Sequence, residues 1–133
     1  SLTGYSLSDN SIPAGNNLHL EISWMALDDI NRDYTIFVHL IDSQDQPWAM
    51  VDGQPLGGTH PTSVWAVGET VVDRIALQLD QETPTGEYRI QLGWYDLSTM
   101  DRLPATGQDD RVLVDRVILG PVYVTERQEP VML

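Results

Sequence analysis

The chain has no cysteine in its 133 residues, and that absence removes thiol nucleophiles, thiolate metal sites and disulfides together. Basic residues are also few: seven Lys and Arg stand against 20 Asp and Glu, for a formal net charge of −13. Nucleic-acid phosphates and anionic membrane faces both bind basic surfaces, so we expect neither as a partner. The charge is typical of a solvated, aggregation-resistant surface, and the alternative is a surface that binds or steers cations.

Long apolar runs are absent as well, because no stretch approaches the roughly 20 apolar residues that span a bilayer. No basic-then-apolar signal sequence opens the chain. We therefore expect no direct membrane insertion by this segment. Because the chain starts at Ser1 without an initiator methionine, we interpret residues 1–133 as a single domain excised from a longer protein.

The dominant pattern that is present is an alternation of apolar and polar residues, which is typical of half-buried strands. It is strict over residues 18–24, resumes over 70–79 and returns over 87–95. Residues 34–41 are apolar on both faces, which favours a central strand. Residues 48–51 follow a polar turn and complete a hairpin with that strand.

The two ends of the chain and its long loop are less regular. Residues 2–7 are predicted to form an edge strand, and residues 112–124 one or two strands, broken near Asp115 and at Gly120-Pro121. Residues 52–69 contain glycines and two prolines that exclude a long helix or strand. A loop of this length is usually functional or packed on itself. Residues 28–33 could form one helical turn at most.

These elements predict an all-β fold of seven to eight short strands, separated by turn-forming residues. We predict an Ig-like antiparallel β-sandwich of two sheets, with a jelly roll as the alternative, because strand order cannot be read from one sequence. The predicted core consists of Leu20, Ile22, Trp24, Ile36, Val38, Leu40, Ile75, Leu77, Tyr88, Ile90, Leu92 and Trp94.

The sequence lacks the common local motifs of catalytic and metal-binding sites, so it gives little support for an enzyme. The sequence has no Gly-x-Ser-x-Gly elbow and no His-x-His, His-Glu-x-x-His or EF-hand pattern. A triad assembled from distant positions and a glycosidase-like pair of carboxylates stay open, but nothing distinguishes one pair among the 20 acids. We predict a protein that is not an enzyme, with no catalytic residue, no metal and no cofactor. A small hydrolase is the disfavoured alternative.

Acidic pairs in predicted turns offer one further metal hypothesis. Carboxylates in the turns of a β-sandwich can bind Ca²⁺, but Asp is also an ordinary turn residue that bonds its local backbone. We favour the turn interpretation for Asp28-Asp29, Asp42 with Asp45, and Asp109-Asp110. His39 is also open to two interpretations. We favour a core histidine hydrogen-bonded to the backbone or to a carboxylate, and the alternative is a ligand or polar anchor beneath the long loop.

Several motifs together resemble one known domain family. They are Gly4-Tyr5-Ser6-Leu7, Pro13-Ala14-Gly15, the run 33–42, Asp52-Gly53-Gln54-Pro55, Pro61-Thr62-Ser63-Val64-Trp65, Gly68-Glu69-Thr70, Pro84-Thr85-Gly86-Glu87-Tyr88, Gly93-Trp94-Tyr95-Asp96 and Arg102-Leu103-Pro104. In this order they resemble the C-terminal extracytoplasmic β-sandwich domain of bacterial multi-spanning membrane proteins similar to glycosyltransferases of the protein-mannosyltransferase type.

The resemblance implies a non-catalytic accessory domain outside the membrane, tethered through an absent N-terminal region. Its partner would be the rest of the parent membrane protein, where catalysis would reside. The resemblance supplies no binding residues.

Aromatic residues around the glycine-rich loop suggest the alternative function, a carbohydrate-binding module that uses loop 52–65. Sugar-binding surfaces stack a pyranose on Trp or Tyr and bind its hydroxyls with acids and amides. The candidate ligand-binding residues are Trp48, Asp52, His60 and Trp65. For Trp65 we favour a structural role as the plug that pins the long loop, whereas Trp24 and Trp94 continue apolar stripes and belong to the core.

Overall fold

The computed structural model describes residues 1–105, 113 and 115–128, and these form eight β-strands in two sheets. The strands are β1 Leu2–Leu7, β2 Ser11–Pro13, β3 Asn17–Met25, β4 Thr35–Ile41, β5 Pro47–Gly53, β6 Thr70–Gln78, β7 Gly86–Tyr95 and β8 Val117–Thr125. Two short 3-10 helices, Pro55–Gly58 and Thr62–Val64, lie between β5 and β6. No helix in the described part of the chain is long and apolar enough to cross a membrane.

The strand order is that of an Ig-like sandwich. One sheet has the order β1-β3-β6 and the other β2-β8-β7-β4-β5. The β8-β7-β4 group corresponds to strands G, F and C of the immunoglobulin fold, with β5 added beside C, and β1-β3-β6 corresponds to A, B and E. This order confirms the Ig-like prediction over the jelly roll. The pairs are antiparallel except β2–β8, which is parallel.

The alternating pattern places its apolar residues between the sheets, as predicted. In β3, Leu18, Leu20, Ile22 and Trp24 are all buried. Every residue of the predicted core is buried except Trp94, which is only partly buried. Trp94 lies near the end of β7, where the two sheets open into a cleft, and that position explains its residual exposure.

Two strands differ from the sequence prediction. Strand β2 was not predicted, since it has only three residues and a single buried side chain, Ile12. Strand β8 runs through Gly120-Pro121, where a break was expected. On β7, Tyr88 pairs with Val122 and Ile90 pairs with Leu119. Gly120 and Pro121 of β8 therefore lie opposite a single residue of β7, Arg89. A bulge of this kind tolerates proline within a strand. The helical turn allowed over residues 28–33 is not formed, and residues 112 and 114 lie outside the described residues.

A buried tyrosine closes the turn before β7. The Tyr88 hydroxyl donates a hydrogen bond to the Pro84 carbonyl at 2.7 Å, in the manner of the tyrosine corner of Ig-like domains. Burial, with the nearby charge of Asp42 as a smaller cause, raises the pKa of Tyr88, so the hydroxyl stays protonated and keeps donating. The bond therefore fixes the start of the strand that lies at the centre of the larger sheet.

Substituting Tyr88→Phe is expected to lower the free energy of unfolding by about 1 kcal/mol, the usual net value of one hydrogen bond. Urea denaturation measures this loss. Tyr123→Phe is the matched control, because Tyr123 is 43% exposed on β8 and should change stability by less than about 0.5 kcal/mol. Equal effects of the two substitutions would contradict a structural role for the Tyr88 bond.

Candidate functional site

The outer face of the five-stranded sheet carries the side chains that β4, β5 and β7 direct away from the core. We use the name outer face for His39 on β4, for Trp48, Met50 and Asp52 on β5, and for Tyr95 on β7. On β5, Ala49 is buried between exposed Trp48 and Met50, which shows the alternation directly. The pairing His39↔Met50 brings β4 and β5 together on this face.

Trp48 presents an aromatic ring to solvent in a fixed position. Trp48 is 41% exposed. Its indole Nε1–H donates a hydrogen bond to Asp42 Oδ2 at 3.0 Å. The other oxygen, Asp42 Oδ1, accepts the backbone N–H groups of Gln44 and Gln46 at 2.8 and 3.0 Å. The Trp48 bond, followed by these backbone bonds, lowers the pKa of Asp42. The carboxylate therefore stays ionised at neutral pH and orients the ring.

Asp52 is the centre of a polar network at the other end of β5. His39 Nε2 lies 2.9 Å from Asp52 Oδ1, and the Tyr95 hydroxyl donates to Asp52 Oδ2 at 2.9 Å. Burial, followed by the bond to Asp52, raises the pKa of Tyr95, so Tyr95 acts as a donor. His39 thus has the carboxylate partner that the favoured interpretation anticipated, but it lies on the outer face, with 17% of its side chain exposed.

Part of the same sheet surface is covered. The guanidinium of Arg102 lies 4.4 Å from the ring centre of Phe37, and Phe37 is only 2% exposed. Arg116 donates to the buried Gln91 side chain. Arg102 and Arg116 therefore cover Phe37 and Gln91, whereas Trp48, Met50 and Asp52 are accessible.

The long loop is held together by an internal network around Trp65. This residue is 6% exposed, and its Nε1–H donates to the His60 carbonyl at 2.9 Å. The His60 ring stacks on Trp65 with centroids 6.2 Å apart, and His60 Nε2 lies 3.0 Å from Glu69 Oε2. The pKa of Glu69 is lowered mainly by the hydrogen bond from the backbone N–H of Ala66 and, to a smaller extent, by the hydrogen bond with His60. The ring of Trp65 therefore packs inward, in the plug position that we favoured.

The structure separates the four candidate residues into two pairs. Trp48 and Asp52 lie on the outer face, whereas His60 and Trp65 belong to the loop and its inward packing. Tyr95 also lies on the outer face, and Asp42 orients Trp48 beside it. Sequence reasoning had not assigned Tyr95 to a ligand site, and it had considered Asp42 only as a turn residue or, with Asp45, as a calcium ligand. The alternation on β7 could have shown Tyr95, because it follows inward-facing Trp94 and must point outward.

Three tryptophans meet at the end of the sandwich. Trp94 forms edge-to-face contacts with Trp24, at 5.2 Å between centroids, and with Trp65, at 5.7 Å. Beside them the sheets leave a cleft of about 200 Å³. Its other described walls include Leu27, Ile30, Thr62, Leu103 and Ala105. The cleft is mainly apolar, and it lies on the opposite side of the larger sheet from Asp52.

A second cleft lies between the edge strands β5 and β6, beneath the first 3-10 helix. Asp73, which interrupts the apolar stripe of β6, faces inward there and is 6% exposed. Its Oδ2 accepts the N–H of Leu56 at 3.2 Å. Desolvation by burial exceeds the effect of this bond and raises the pKa of Asp73.

The raised pKa predicts a specific pH dependence. The folded state binds the Asp73 proton more tightly than the unfolded chain, so this group favours folding at acid pH, and its contribution is lost as pH rises through the folded-state pKa. Asp73→Asn is neutral at every pH and keeps an oxygen for Leu56. Urea denaturation from pH 7 to pH 4 should therefore show wild type gaining stability relative to the variant as pH falls. A constant difference, or one of opposite sign, would contradict the burial effect.

The acidic turn pairs bond to their own surroundings. Asp28 accepts the N–H of Asp29 at 3.0 Å, Asp42 is engaged as described above, and Asp45 lies 3.2 Å from Arg89. Asp109-Asp110 lies outside the described residues. Among the described residues, no group of three or more His, Asp or Glu side chains could share a metal ion. The Asp28 and Asp42 contacts are those of turn residues, whereas the Asp45 carboxylate pairs with the Arg89 guanidinium.

The fold and the outer face define the chain as an Ig-like β-sandwich domain with an accessible aromatic and acidic surface on one sheet. No family model matches the chain, and no curated protein is significantly similar to it. The resemblance to glycosyltransferase-associated domains therefore stays a prediction.

Proposed function

We propose that this chain is a non-catalytic accessory domain that binds glycan through the outer face of its five-stranded sheet. Its context would be a larger, membrane-anchored, glycosyltransferase-like protein, with this domain on the extracytoplasmic side. The observation that supports glycan binding is the oriented, exposed ring of Trp48 beside Met50, on the same strand face as the Asp52 network.

The chemistry of this surface suits a pyranose. An exposed indole face can pack against the apolar face of a sugar ring at little entropic cost, because the Asp42 bond already fixes it. Trp48 and Asp52 are four residues apart on β5, or about 13 Å along an extended strand. An oligosaccharide can span that distance, stacking at Trp48 while its hydroxyls bond to Asp52 and His39.

The charge of the domain selects among glycans. The net charge is −13, and it includes the carboxylates of Asp52 on the outer face and of Asp42 beside it. An anionic glycan would be repelled by these carboxylates, whereas a neutral sugar would offer hydroxyl donors to them. We therefore propose neutral hexose oligosaccharides, of the mannose or glucose type, as the ligand class.

Substituting Trp48→Ala is expected to weaken binding of such an oligosaccharide by at least about tenfold, because the stacking surface is lost. Titration by intrinsic fluorescence or chemical shift at millimolar sugar measures the affinity. Val67→Ala is the matched control: Val67 is 55% exposed on the long loop and should leave the affinity unchanged. If Trp48→Ala still binds the sugar but Val67→Ala does not, the binding site would lie on the long loop. If the wild-type domain does not bind, the glycan proposal would be wrong.

The accessory role has a separate test in the parent gene. Several apolar spans upstream of Ser1 in the full-length reading frame would support a membrane-tethered domain. A start codon beside Ser1 would overturn that context and leave the glycan proposal to be judged on its own titration.

A further inference from the structure

The cleft between the edge strands β5 and β6, which we call the edge cleft, contains a carboxylate without a cationic partner. Asp73 lines this cleft from an inward-facing position of β6. In the part of the chain that the structure describes, no Arg or His side chain forms an ion pair with Asp73. The adjacent Arg74 pairs with Glu21 instead, with 3.1 Å between Nε and Oε2.

The charge of Asp73 is not needed for its contact with the loop. Buried carboxylates are usually paired, because the loss of hydration opposes folding. The backbone N–H groups of Leu56 and Arg74 offset only part of this cost, since burial still raises the pKa of Asp73. A neutral amide oxygen could accept the Leu56 N–H without that cost. A cation in the edge cleft would supply the missing counter-charge.

The edge cleft has room for a small molecule because glycines line much of it. Its volume of about 490 Å³ lies in the range of roughly 300–1,000 Å³ that is typical of small-molecule sites. A Cβ atom at any of its three glycines would meet no atom within 4 Å; these are Gly53, Gly57 and Gly58. Aliphatic side chains form the apolar part of the wall, and they belong to Ile36, Val51 and Ile75.

We propose that the edge cleft binds a small organic cation, a primary ammonium ion with a compact apolar body. The ammonium group donates hydrogen bonds to the Asp73 carboxylate, and the apolar body packs against the aliphatic wall. The net charge of −13 attracts cations to the domain. This site goes beyond the proposed glycan binding and does not depend on it, because Asp73 faces the space between the sheets whereas Trp48 and Asp52 point away from it.

A matched pair of probes tests the role of the ligand's charge. Benzylammonium and benzyl alcohol have similar size and shape, but only benzylammonium is positively charged at neutral pH. It should bind at least about tenfold more tightly, the gain expected from a charge-assisted hydrogen bond. Titrations followed by the backbone amide resonances of Gly53, Gly57 and Gly58 measure both affinities and locate the site. Equal affinities, or binding that leaves these three amides unperturbed, would overturn the proposal.

Neutralising single carboxylates tests whether Asp73 is the partner of the ammonium group. Asp73→Asn should reduce the affinity ratio of the two probes to about one. Asp9→Asn removes the same charge from an exposed residue that follows β1, at the opposite edge of the three-stranded sheet from β6. This control should keep the wild-type ratio. A wild-type ratio in folded Asp73→Asn, or an equal decrease in both variants, would show that the cation does not bind at Asp73.

Filling the cleft is the second test, and it leaves Asp73 unchanged. Gly53→Leu places a side chain in the open space and should abolish binding of both probes. Gly4→Leu is the matched control on β1, where a Cβ atom also meets nothing within 4 Å, and it should leave both affinities unchanged. Circular dichroism checks that each variant is folded. Undiminished binding of benzylammonium by folded Gly53→Leu would contradict the proposal even if Asp73→Asn failed to fold.

Discussion

Trp65→Ala is expected to lower the free energy of unfolding by about 3–5 kcal/mol, the range for removing a buried aromatic side chain. The substitution removes the edge-to-face contact with Trp94 and the stacking partner of His60. It also removes the bond to the His60 carbonyl. Urea denaturation measures the decrease in the free energy of unfolding. An unchanged dependence of that free energy on urea concentration would show that the variant still unfolds from a compact state.

The neighbouring residue supplies the control for this prediction. Val64 is 58% exposed, so Val64→Ala should change the free energy of unfolding by less than about 0.5 kcal/mol. If Trp65→Ala is as mild as Val64→Ala, then Trp65 does not anchor the loop, and the ring would again be a candidate for binding ligand. A large decrease in the free energy of unfolding would show that Trp65 has a structural role.

Gly93→Ala is the second substitution with a large expected effect, about 1–3 kcal/mol of destabilisation from overpacking. Gly93 pairs with Phe37 across β4 and β7. A Cβ at Gly93 would lie 2.8 Å from Cζ of Phe37 and 3.2 Å from the carbonyl oxygen of Asp115. Phe37 has little room to move, because it is buried beneath Arg102. The thermal midpoint and urea denaturation both measure the loss.

Gly53→Ala, on the edge strand β5 of the same sheet, is the matched control. A Cβ at Gly53 would meet no atom within 4 Å, and its backbone is not in the left-handed region. This substitution should be neutral or slightly stabilising, since alanine costs less conformational entropy than glycine. A Gly93→Ala variant as stable as Gly53→Ala would show that the Phe37 ring is not held as described.

The sheet architecture followed from the sequence because side-chain alternation is a local property. Leu18, Leu20, Ile22 and Trp24 identify their buried face without reference to any other strand. Strand order is different, since it depends on pairings distant in the chain. Strand β2 shows the limit most clearly: three residues give too short a pattern, and β2 is defined by its parallel pairing with β8.

The candidate site was less predictable for the same reason. Proximity in sequence grouped Trp48, Asp52, His60 and Trp65, but β5 directs the first two outward and the loop folds the last one inward. The His39–Asp52–Tyr95 network joins three strands, so no local pattern could reveal it. The orientation of Trp48 depends on Asp42, which sequence reasoning considered only as a turn residue or, with Asp45, as a calcium ligand.

Chemical-shift mapping with an isotope-labelled domain and a neutral mannose-type oligosaccharide tests most directly whether the binding surface is the outer face. We predict that the perturbed resonances include the Trp48 indole N–H and the backbone amides of His39, Met50 and Asp52, with those of Val64 and Val67 unaffected. Perturbations confined to residues 56–69, or none at millimolar sugar, would contradict the account.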